Sequence, residues 1–460
     1  NCAEWACLQF GCALAGVILV NVNPAYRTHD LAFVLKKSRM KALFLRSKDT
    51  RSNYREILEQ AAAGQKLELR EAIFLESDWK GFLKERDGVV VRIDPSDAAN
   101  IQYTSGTTGQ PKGVLLSHIN TLNNGVHIAQ YMKMTEEDRV CVPVPLFHCF
   151  GCVAGTTAGA VSGATVVLPA ATFDPKSTME AIDAERCTVI YGVPAMFIAE
   201  LQHPEFHHYR FESLRTGIMA GAPCPIEIMR RVVSEMHCPD MVVAYGQTEA
   251  SPVITMSRTD DTLENRCTTV GSAIPEVEVR IATPDGETVE AGHQGELQTR
   301  GYLVMKGYDD EPEATAQAID EEGWLHTGDL AVMREDGYFR ITGRAKDMII
   351  RGGENVYPRE VEEFLYTHPA VAEVQVVGLP DDRLGEVVCA WIRLKAGETA
   401  DDEGIRAFCN GRLAHYKVPQ YIRFVDSYPM TLSGKVQKFR IREIEIEERG
   451  LWDAERTQTA

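Results

Sequence analysis

The sequence has no apolar run long enough to cross a membrane. A spanning helix needs about 20 mostly apolar residues. The best candidate, from Cys12 to Val22, is too short and is interrupted by Gly16. We therefore expect no membrane span, and we assign this stretch to a helix end, a glycine turn and a strand.

Positive charge is also scarce. The chain carries 48 Lys and Arg residues against 66 Asp and Glu residues, which gives a formal net charge of −18. A nucleic-acid backbone is repelled by such a surface on average, so nucleic-acid binding is not expected. A local basic patch for a small anionic nucleotide remains compatible with this balance.

The cysteines lack the spacing of a metal site or a disulfide framework. Twelve are scattered along the chain, and the pair Cys149 and Cys152 has no second C-x-x-C and no histidine at zinc spacing. We predict reduced, buried thiols in a cytosol-like compartment.

The first residue is Asn1, inside a helix-like pattern with no methionine, charged leader or cleavage site. We expect a further N-terminal piece in the native protein. The predicted compartment is the cytoplasm, or the mitochondrial matrix if that piece carries a targeting peptide.

Glycines, hydroxyls and a lysine concentrate between Tyr103 and Val114. Glycines let backbone N–H groups converge on an anion, hydroxyls add donors and the lysine adds charge, so this stretch predicts a phosphate cradle. It is not the P-loop of kinase-like NTPases, because Pro111 and Gly113 stand where that motif needs Gly and Ser or Thr. A polar turn between two strands is the structural alternative. The predicted cradle comprises Thr104, Ser105, Gly106, Thr107, Thr108, Gly109, Gln110, Pro111 and Lys112.

The pattern along the 460 residues predicts an α/β protein with two or more domains. Apolar runs alternate with helical patterns up to about residue 94, which is typical of βαβ units and a mostly parallel sheet. Ser117 is placed to cap a helix over His118–Lys133, and Val277–Arg300 alternates strands with glycine turns. We predict a large N-terminal domain of mixed and parallel sheets with helices and a small β subdomain, followed by a small mobile α+β C-terminal domain.

Two later strings suit a nucleotide. Met219–Pro223 ends a strand with small residues, Gly221, Ala222 and Pro223, which let a flat base approach the backbone. Tyr245–Glu249 combines an aromatic residue for stacking, a hydroxyl and a carboxylate able to bind Mg²⁺. An ordinary strand–loop–helix joint is the alternative for either string. The residues predicted from the second string are Tyr245, Gly246, Gln247, Thr248 and Glu249.

Three further polar residues are candidates. Asp329 ends a turn that begins at Gly323, and a carboxylate there suits the two ribose hydroxyls; a capping aspartate is the alternative. His148 lies between two aromatic residues, where a packed histidine is common. Lys435 stands on a Ser-Gly loop and, taken alone, is a surface lysine.

Together these strings resemble the adenylate-forming superfamily, which includes acyl-CoA synthetases, adenylation domains and beetle luciferases. The resemblance spans essentially the whole chain. Within the superfamily the sequence is most similar to fatty acyl-CoA synthetases of the medium-chain "family member two" branch, through NVNPAYR, KDMIIRGGENVYP and SGKVQKFRIRE. It implies an AMP-binding domain over 1–343, a hinge over 344–346 and a mobile C-terminal domain over 347–460.

The resemblance also implies chemistry in two half-reactions. A carboxylate attacks the α-phosphate of ATP to give acyl-adenylate and pyrophosphate, and coenzyme A then displaces AMP. Mg²⁺ assists, held by Glu249. The implied catalytic residues are Lys435, Glu249, Thr104 and Lys112; Asp329 and Arg344 bind ribose, Lys346 is the hinge, and His148, Gly192 and Met196 line the acid pocket.

Alternatives with the same motifs are a carrier-loading adenylation domain, a luciferase-like oxygenase, a ligase for an aromatic or long-chain acid, and a non-catalytic nucleotide-binding protein. The last would be expected to lack Lys435, Glu249 or Asp329, and all three are present. Small, flexible apolar residues in the predicted pocket favour an uncharged alkyl chain. The expected partners are a carboxylic acid, ATP and coenzyme A; the oligomeric state stays open, with a homodimer as one option.

Overall fold

The computed structural model describes residues 1–84, 91–104, 111–222, 224–344, 347–410, 412–431 and 434–451. Within these ranges, none of the helices combines the length and apolar character that a membrane span requires. Several predicted site residues lie outside the described residues: Ser105, Gly106, Thr107, Thr108, Gly109, Gln110, Pro223 and Lys346.

The α-helices alternate with strands through most of the chain. They are α1 Ala3–Leu14, α2 Thr28–Ser38, α3 Tyr54–Ala62, α4 Trp79–Phe82, α5 His118–Tyr131, α6 Ala158–Ser162, α7 Pro175–Glu185, α8 Pro194–Leu201, α9 Ile226–Glu235, α10 Leu263–Thr268, α11 Pro312–Ala318, α12 Pro358–Leu365, α13 Asp402–Cys409 and α14 Lys438–Arg449. A π-helical segment, Phe150–Thr157, leads into α6.

The strands range from 2 to 11 residues, and the longest are in the C-terminal domain. They are β1 Leu19–Asn21, β2 Ala42–Leu45, β3 Glu71–Phe74, β4 Ala98–Thr104, β5 Lys112–Ser117, β6 Arg139–Cys141, β7 Thr165–Val167, β8 Val189–Gly192, β9 Thr216–Ala220, β10 Asp240–Gly246, β11 Val253–Met256, β12 Ser272–Ala273, β13 Val277–Ala282, β14 Gln294–Gly301, β15 Gly307–Tyr308, β16 Leu325–Met333, β17 Phe339–Arg344, β18 Ile349–Arg351, β19 Glu354–Val356, β20 Val371–Asp381, β21 Gly385–Leu394 and β22 Tyr421–Phe424.

The central sheet of the large domain has the order β12-β11-β10-β9-β8-β6-β7. Strands β7, β6, β8, β9 and β10 are parallel, and β11 and β12 add an antiparallel edge. The alternation before residue 94 contributes to the parallel pairs β1–β4 and β2–β3, whereas the mostly parallel sheet is this central one, built from later residues. Its parallel strands bring their carboxyl ends to one edge, where open α/β sheets bind ligands.

A second sheet, β1-β4-β5-β15, contains Thr104 and Lys112, the two ends of the predicted phosphate cradle. Strands β4 and β5 form an antiparallel hairpin in which Thr104 pairs with Lys112. Ser117 at the end of β5 caps α5: its hydroxyl accepts from the Asn120 amide at 3.2 Å, and Asn120 Oδ1 accepts from the Ser117 amide at 2.6 Å. This confirms the predicted cap, which stabilises a helix by about 1 kcal/mol.

Strands β2 and β3 form a separate parallel pair. Two further sheets match the predicted β subdomain and C-terminal domain. The antiparallel order β13-β14-β16-β17 forms the subdomain. In the small domain, β19-β18-β21-β20 is joined by β22, which pairs in parallel with β21. Helix α14 is anchored there by the buried Glu445, which accepts a hydrogen bond from the Trp391 indole at 2.7 Å.

All twelve cysteines are free, as predicted, and they belong to the part of the chain that the structure describes. The prediction that they are buried is wrong for some of them. Cys7 is exposed, because α1 contributes no buried residue, and Cys2, Cys12, Cys224 and Cys267 are half-buried.

One carboxyl group is buried in the core without a function in the predicted chemistry. Glu200, on α8, is 1% exposed, and its Oε2 has no hydrogen-bond partner in the described residues. Burial raises the pKa of Glu200 to about 8. The group is therefore held neutral at pH 7 by the cost of placing a charge in the core.

We predict that Glu200→Gln removes a pH-dependent destabilisation. An unfolded glutamate titrates near pH 4.3. Between that pH and about 8 the unfolded chain releases a proton that the folded protein keeps, so the stability of the wild type falls as pH rises through this window. The free energy of unfolding of Glu200→Gln, measured with urea, should exceed that of the wild type by an amount that grows to a few kcal/mol from pH 5 to pH 8.5. The exposed Glu313→Gln serves as control, and a pH-independent difference would contradict the prediction.

Candidate active site

Three predicted segments meet at the carboxyl edge of the central sheet. Gly192 ends β8 and pairs with Met219 of β9, while Ala220 of β9 pairs with Ala244 of β10. The Gly192–Val193, Gly221–Ala222 and Tyr245–Gly246 pairs of residues therefore follow one another along this edge. This is the position at which open parallel sheets hold nucleotides.

Only glycine fits sterically at position 246. A Cβ atom there would lie 1.8 Å from the carbonyl oxygen of Pro252, so no larger residue fits without moving the backbone. After Gly246 and Gln247 the chain enters a 3₁₀ turn, Thr248–Ala250, which places Glu249 beside the sheet edge. The Thr248 side chain points into the protein instead: it is buried, with its Oγ1 3.7 Å from Cys149 Sγ.

Tyr308 holds Glu249. The tyrosine hydroxyl donates a hydrogen bond to Oε1 of Glu249 at 2.9 Å, and the Met305 amide donates to the Glu249 carbonyl at 2.9 Å. Burial and the charge of Glu249 both raise the pKa of Tyr308, so this hydroxyl remains a donor. On the other side, Lys112 Nζ lies 4.9 Å from the centre of the Tyr308 ring.

The donor set around Glu249 fits a magnesium ion that is shared with a substrate. In the described residues, no three His, Cys, Asp or Glu side chains cluster to hold a metal. Mg²⁺ commonly binds through one or two carboxylates together with substrate phosphates and water. Glu249 supplies one such carboxylate, and Tyr308 contacts both it and Lys112, the last residue of the predicted phosphate cradle.

Asp329 lies where the β subdomain meets the central sheet. It is buried on β16 and faces Arg344 of β17 across the ladder. Arg344 Nε donates to Oδ1 at 2.9 Å, and the Tyr245 hydroxyl donates to Oδ2 at 2.6 Å. The carboxylate raises the pKa of Arg344, and burial followed by the same carboxylate raises the pKa of Tyr245. Asp329 is thus fixed through both oxygens, each of which keeps a second lone pair for a ligand.

The small domain contributes Lys435 to the same edge. The Lys435 amide donates to Thr431 Oγ1 at 3.0 Å, and the Thr431 amide donates to the Lys435 carbonyl at 2.8 Å. Gly434 has φ of +78°, and a Cβ atom there would lie 2.7 Å from Val193 Cγ2. A Cβ atom on Gly221 would lie 3.5 Å from Lys435 Cε. The lysine therefore crosses from one domain to the carboxyl ends of β8 and β9.

Burial at this edge lowers the pKa of both Lys435 and His148. Burial lowers the pKa of Lys435, and the carboxylates of Asp329 and Glu249 act against that shift. Burial, followed by the charge of Lys435, lowers the pKa of His148 to about 3. The Phe150 amide donates to His148 Nδ1 at 3.1 Å, so the neutral ring carries its proton on Nε2.

The predicted pocket segments meet in one apolar cluster. It joins the strand before His148, the end of β8, and strands β9 to β11. Its members include Leu146, Tyr191, Val193, Met196, Ile218, Ala244 and Val253, with Phe150 and Ala220 against it. The predicted residue Gly192 packs against the Phe197 ring, where a Cβ atom would lie 2.8 Å from that ring.

A cavity of about 480 Å³ separates parts of the two domains beside this cluster. Phe147 and Met196 line it from the large domain, and Tyr428 and Gly434 line it from the small domain. Of the predicted pocket residues, Met196 therefore faces both the apolar cluster and the space next to the lysine loop.

The structure thus brings together Thr104, Lys112, Gly221, Tyr245, Glu249, Asp329, Arg344 and Lys435 around one edge. The sequence analysis missed Tyr308, and it predicted Val193 as a pocket residue without its contact with the lysine loop. A Gly-Tyr pair in the polar string Lys306–Asp310 was the available signal for Tyr308. Val193 carried no chemical signal, because its role is a van der Waals contact with a residue 241 positions away in the chain.

Comparison with known proteins agrees with this geometry. The family described as "AMP-binding enzyme" matches residues 1–309, and "AMP-binding enzyme C-terminal domain" matches residues 360–435. The chain is 48% identical to the putative acyl-CoA synthetase YngI of Bacillus subtilis, over 97% of this chain and 86% of that protein. It is 44% identical to the mitochondrial medium-chain acyl-CoA ligase ACSF2 of Bos taurus, over 96% of this chain and 77% of that protein.

Among solved structures, ATP-bound MatB from Rhodopseudomonas palustris superposes with a TM-score of 0.87. That protein is 29% identical, and the match covers 97% of this chain and 87% of MatB. The resemblance inferred from the motifs and the predicted two-domain α/β fold are confirmed by these matches. The chain therefore belongs to the AMP-binding enzyme family, as one of its acyl-CoA synthetases.

Proposed function

We propose that this enzyme converts a medium-chain fatty acid, ATP and coenzyme A into acyl-CoA, AMP and pyrophosphate, with Lys435 as the residue that bridges the acid and the α-phosphate. The observation that carries the proposal is the insertion of the Lys435 loop, from the small domain, against Val193 and Gly221 of the large domain. Lys435 is half-buried there, and moving a charge out of water is costly unless opposite charges or a ligand compensate it.

In the first half-reaction a carboxylate oxygen forms a bond to the α-phosphorus, and the bond to the pyrophosphate oxygen breaks. A carboxylate is a weak nucleophile, and negative charge accumulates on the phosphate oxygens. Catalysis therefore depends on positioning and on positive charge at that phosphate. Lys435 supplies the charge, and its burial makes that charge act through a medium of low polarity.

No general base is needed in this step. The acid is ionised at pH 7, and His148, whose pKa is lowered to about 3, is neutral there. With its Nδ1 occupied by the Phe150 amide, His148 presents Nε2–H as a donor. We assign it to the pocket wall, as the motif suggested, and not to proton transfer.

The nucleotide is assigned to the edge between Gly221 and Asp329. The carboxylate of Asp329 accepts from the ribose hydroxyls, and Arg344 and Tyr245 orient it. The predicted cradle from Thr104 to Lys112, whose two ends pair with each other, is assigned to the β- and γ-phosphates. Gly221 and Ala222, exposed at the end of β9, leave room for the base to approach the backbone.

Glu249 is assigned as the protein ligand of Mg²⁺. When bound, the ion neutralises charge on the triphosphate and makes pyrophosphate a better leaving group. The protein's contribution is the orientation of one carboxylate, whose Oε1 is held by the Tyr308 hydroxyl.

In the second half-reaction the thiol of coenzyme A attacks the acyl carbon and AMP leaves. Lys435 then has no further role at the phosphate. We propose that the small domain turns about residues 344–346, with Lys346 as the pivot, and removes the lysine loop. The same turn would bring in the β18–β19 hairpin, whose Gly352 and Gly353 have φ of +60° and +89°.

The preference for a fatty acid is supported by the apolar cluster around Met196 and Val253. A second carboxylate would be left unpaired and desolvated there, at a large cost. The names of the ACSF2 relatives point to medium chain length. The cytoplasm is our expected compartment, with the mitochondrial matrix as the alternative that those relatives suggest.

A pyrophosphate-release screen over carboxylic acids tests the proposed function. Each buried CH₂ contributes about 0.8 kcal/mol, so kcat/KM should rise roughly fourfold per added carbon up to a medium-length optimum. Acetate and dicarboxylates should be poor substrates, and acyl-CoA should form only when coenzyme A is present. A profile flat from acetate upward, or a preference for a hydroxycinnamate, would contradict the fatty-acid assignment while leaving the ligase intact.

Replacing the proposed bridging lysine should separate the half-reactions. Lys435→Ala should slow adenylate formation by at least about 100-fold, the scale for losing one donor to a transition-state charge. It should affect thioester formation from supplied acyl-adenylate far less. Rapid-quench measurements of both steps check this, with Lys395→Ala, an exposed lysine of the same domain, as control. An equal loss in both steps would exclude the assignment.

A further inference from the structure

A two-residue strand links the phosphate hairpin to the proposed metal carboxylate. Strand β15 pairs antiparallel with β5, with Tyr308 opposite Val114 and Gly307 opposite Leu115. The Asp309 amide also donates to the Gly113 carbonyl at 2.7 Å. The backbone of Tyr308 is thus fixed to the strand that begins at Lys112.

The same segment is tied to the turn that carries Glu249. The Met305 amide donates to the Glu249 carbonyl at 2.9 Å, and the Ser251 hydroxyl donates to the Leu303 carbonyl at 2.6 Å. On its far side, the Tyr308 amide donates to Thr315 Oγ1 at 2.9 Å. The backbone at Tyr308 therefore cannot shift independently of strand β5 or of the turn that carries Glu249.

The two parts of the Tyr308 side chain face different charges. Its hydroxyl donates to Glu249 Oε1 at 2.9 Å, and its ring face lies 4.9 Å from Lys112 Nζ. A cation over a tyrosine ring is attracted to the ring's negative face. Lys112 is consequently held against the face of the Tyr308 side chain, and the Glu249 carboxylate is held at its hydroxyl.

We propose that Tyr308 is a positioning residue for the adenylation step, whose hydroxyl fixes Glu249 for the metal and whose ring holds Lys112 at the start of β5. This inference rests on the proposed function, because it assumes that Glu249 binds Mg²⁺. The hydroxyl occupies one oxygen of Glu249, which selects one orientation of the carboxylate before the substrate arrives. Groups that orient metal ligands in this way commonly affect metal affinity 10–100-fold.

The ring has a separate task. The Lys112 side chain is flexible, and it loses conformational entropy when its ammonium binds a phosphate. Resting on the ring keeps the ammonium close to the hairpin and away from the carboxylate. A triphosphate carries several negative charges and attracts the Lys112 ammonium more strongly than the ring does. When it binds, Lys112 can move from the Tyr308 ring to the phosphate.

Two substitutions separate these tasks. Tyr308→Phe removes the hydroxyl and keeps the ring, which also packs against the large apolar core. Tyr308→Leu removes both. The control is Tyr338→Phe, which deletes a comparable hydrogen bond, of 2.5 Å to Asp261 Oδ1, in another part of the large domain.

The readout is ligand binding, independent of turnover. Mn²⁺, a paramagnetic substitute for Mg²⁺, is titrated into enzyme with ATP and followed by electron paramagnetic resonance. The affinity for metal-free ATP is measured by calorimetry in EDTA. Tyr308→Phe should weaken Mn²⁺ binding about tenfold or more and leave metal-free ATP affinity unchanged. Tyr308→Leu should in addition weaken metal-free ATP binding, and Tyr338→Phe should change neither.

Mn²⁺ affinity of Tyr308→Phe equal to that of the wild type would overturn the role of the hydroxyl. A loss of metal-free ATP affinity in Tyr308→Phe as large as its loss of Mn²⁺ affinity would also overturn this role, because it would indicate a general structural defect. Identical behaviour of the Phe and Leu variants would overturn the role of the ring. Glu249→Gln tests the premise separately. Unchanged Mn²⁺ affinity in Glu249→Gln would refute the assignment of Glu249 as the metal ligand. Weaker Mn²⁺ binding in Glu249→Gln together with wild-type Mn²⁺ affinity in Tyr308→Phe would refute only the positioning role of Tyr308.

Discussion

The contact between Gly434 and Val193 is the constraint on which the active site depends. It brings an ammonium group from the small domain to the carboxyl ends of the parallel strands of the large domain. Removing a charge from water is costly unless opposite charges compensate it. The carboxylates of Asp329 and Glu249 provide part of that compensation, and we propose that the triphosphate and the acid provide the rest.

Small residues make this arrangement possible on both sides of the interface. Gly434 approaches Val193 with a backbone of positive φ, and Gly221 leaves space for the lysine stem. Each charged residue is then held by a neighbour from another sheet. Tyr245 of the central sheet binds Asp329 of the β subdomain, and Tyr308 binds Glu249. Preorganised donors and charges of this kind require little rearrangement when the reaction occurs.

Much of this organisation was predictable from local sequence patterns. Alternating apolar runs predicted the strand–helix alternation before residue 94, Ser117 predicted a cap that the structure contains, and the strings around Asp329 and Glu249 lie near one sheet edge. These features depend on neighbours in the chain. The hydrogen bond from Tyr245 to Asp329 and the ring contact of Lys112 with Tyr308 depend on strand pairing between distant segments, which no local period encodes.

The exposed Cys7 and the buried Glu200 illustrate the same limit. Cysteine is buried on average and glutamate is exposed on average, and each of these two residues is the reverse because of where its helix packs.

The most direct test of the account is a reversible cross-link across the domain interface. A Cβ atom on Gly434 would lie 2.7 Å from Val193 Cγ2. The two Cβ atoms would then be about 4 Å apart, within the spacing of about 3.5–4.5 Å that a disulfide requires. Oxidised Val193→Cys/Gly434→Cys enzyme should form acyl-adenylate and fail to pass it to coenzyme A, and thiol reduction should restore transfer. Both single variants are controls. Transfer to coenzyme A at an undiminished rate in the oxidised enzyme would contradict the claim that the lysine loop must leave.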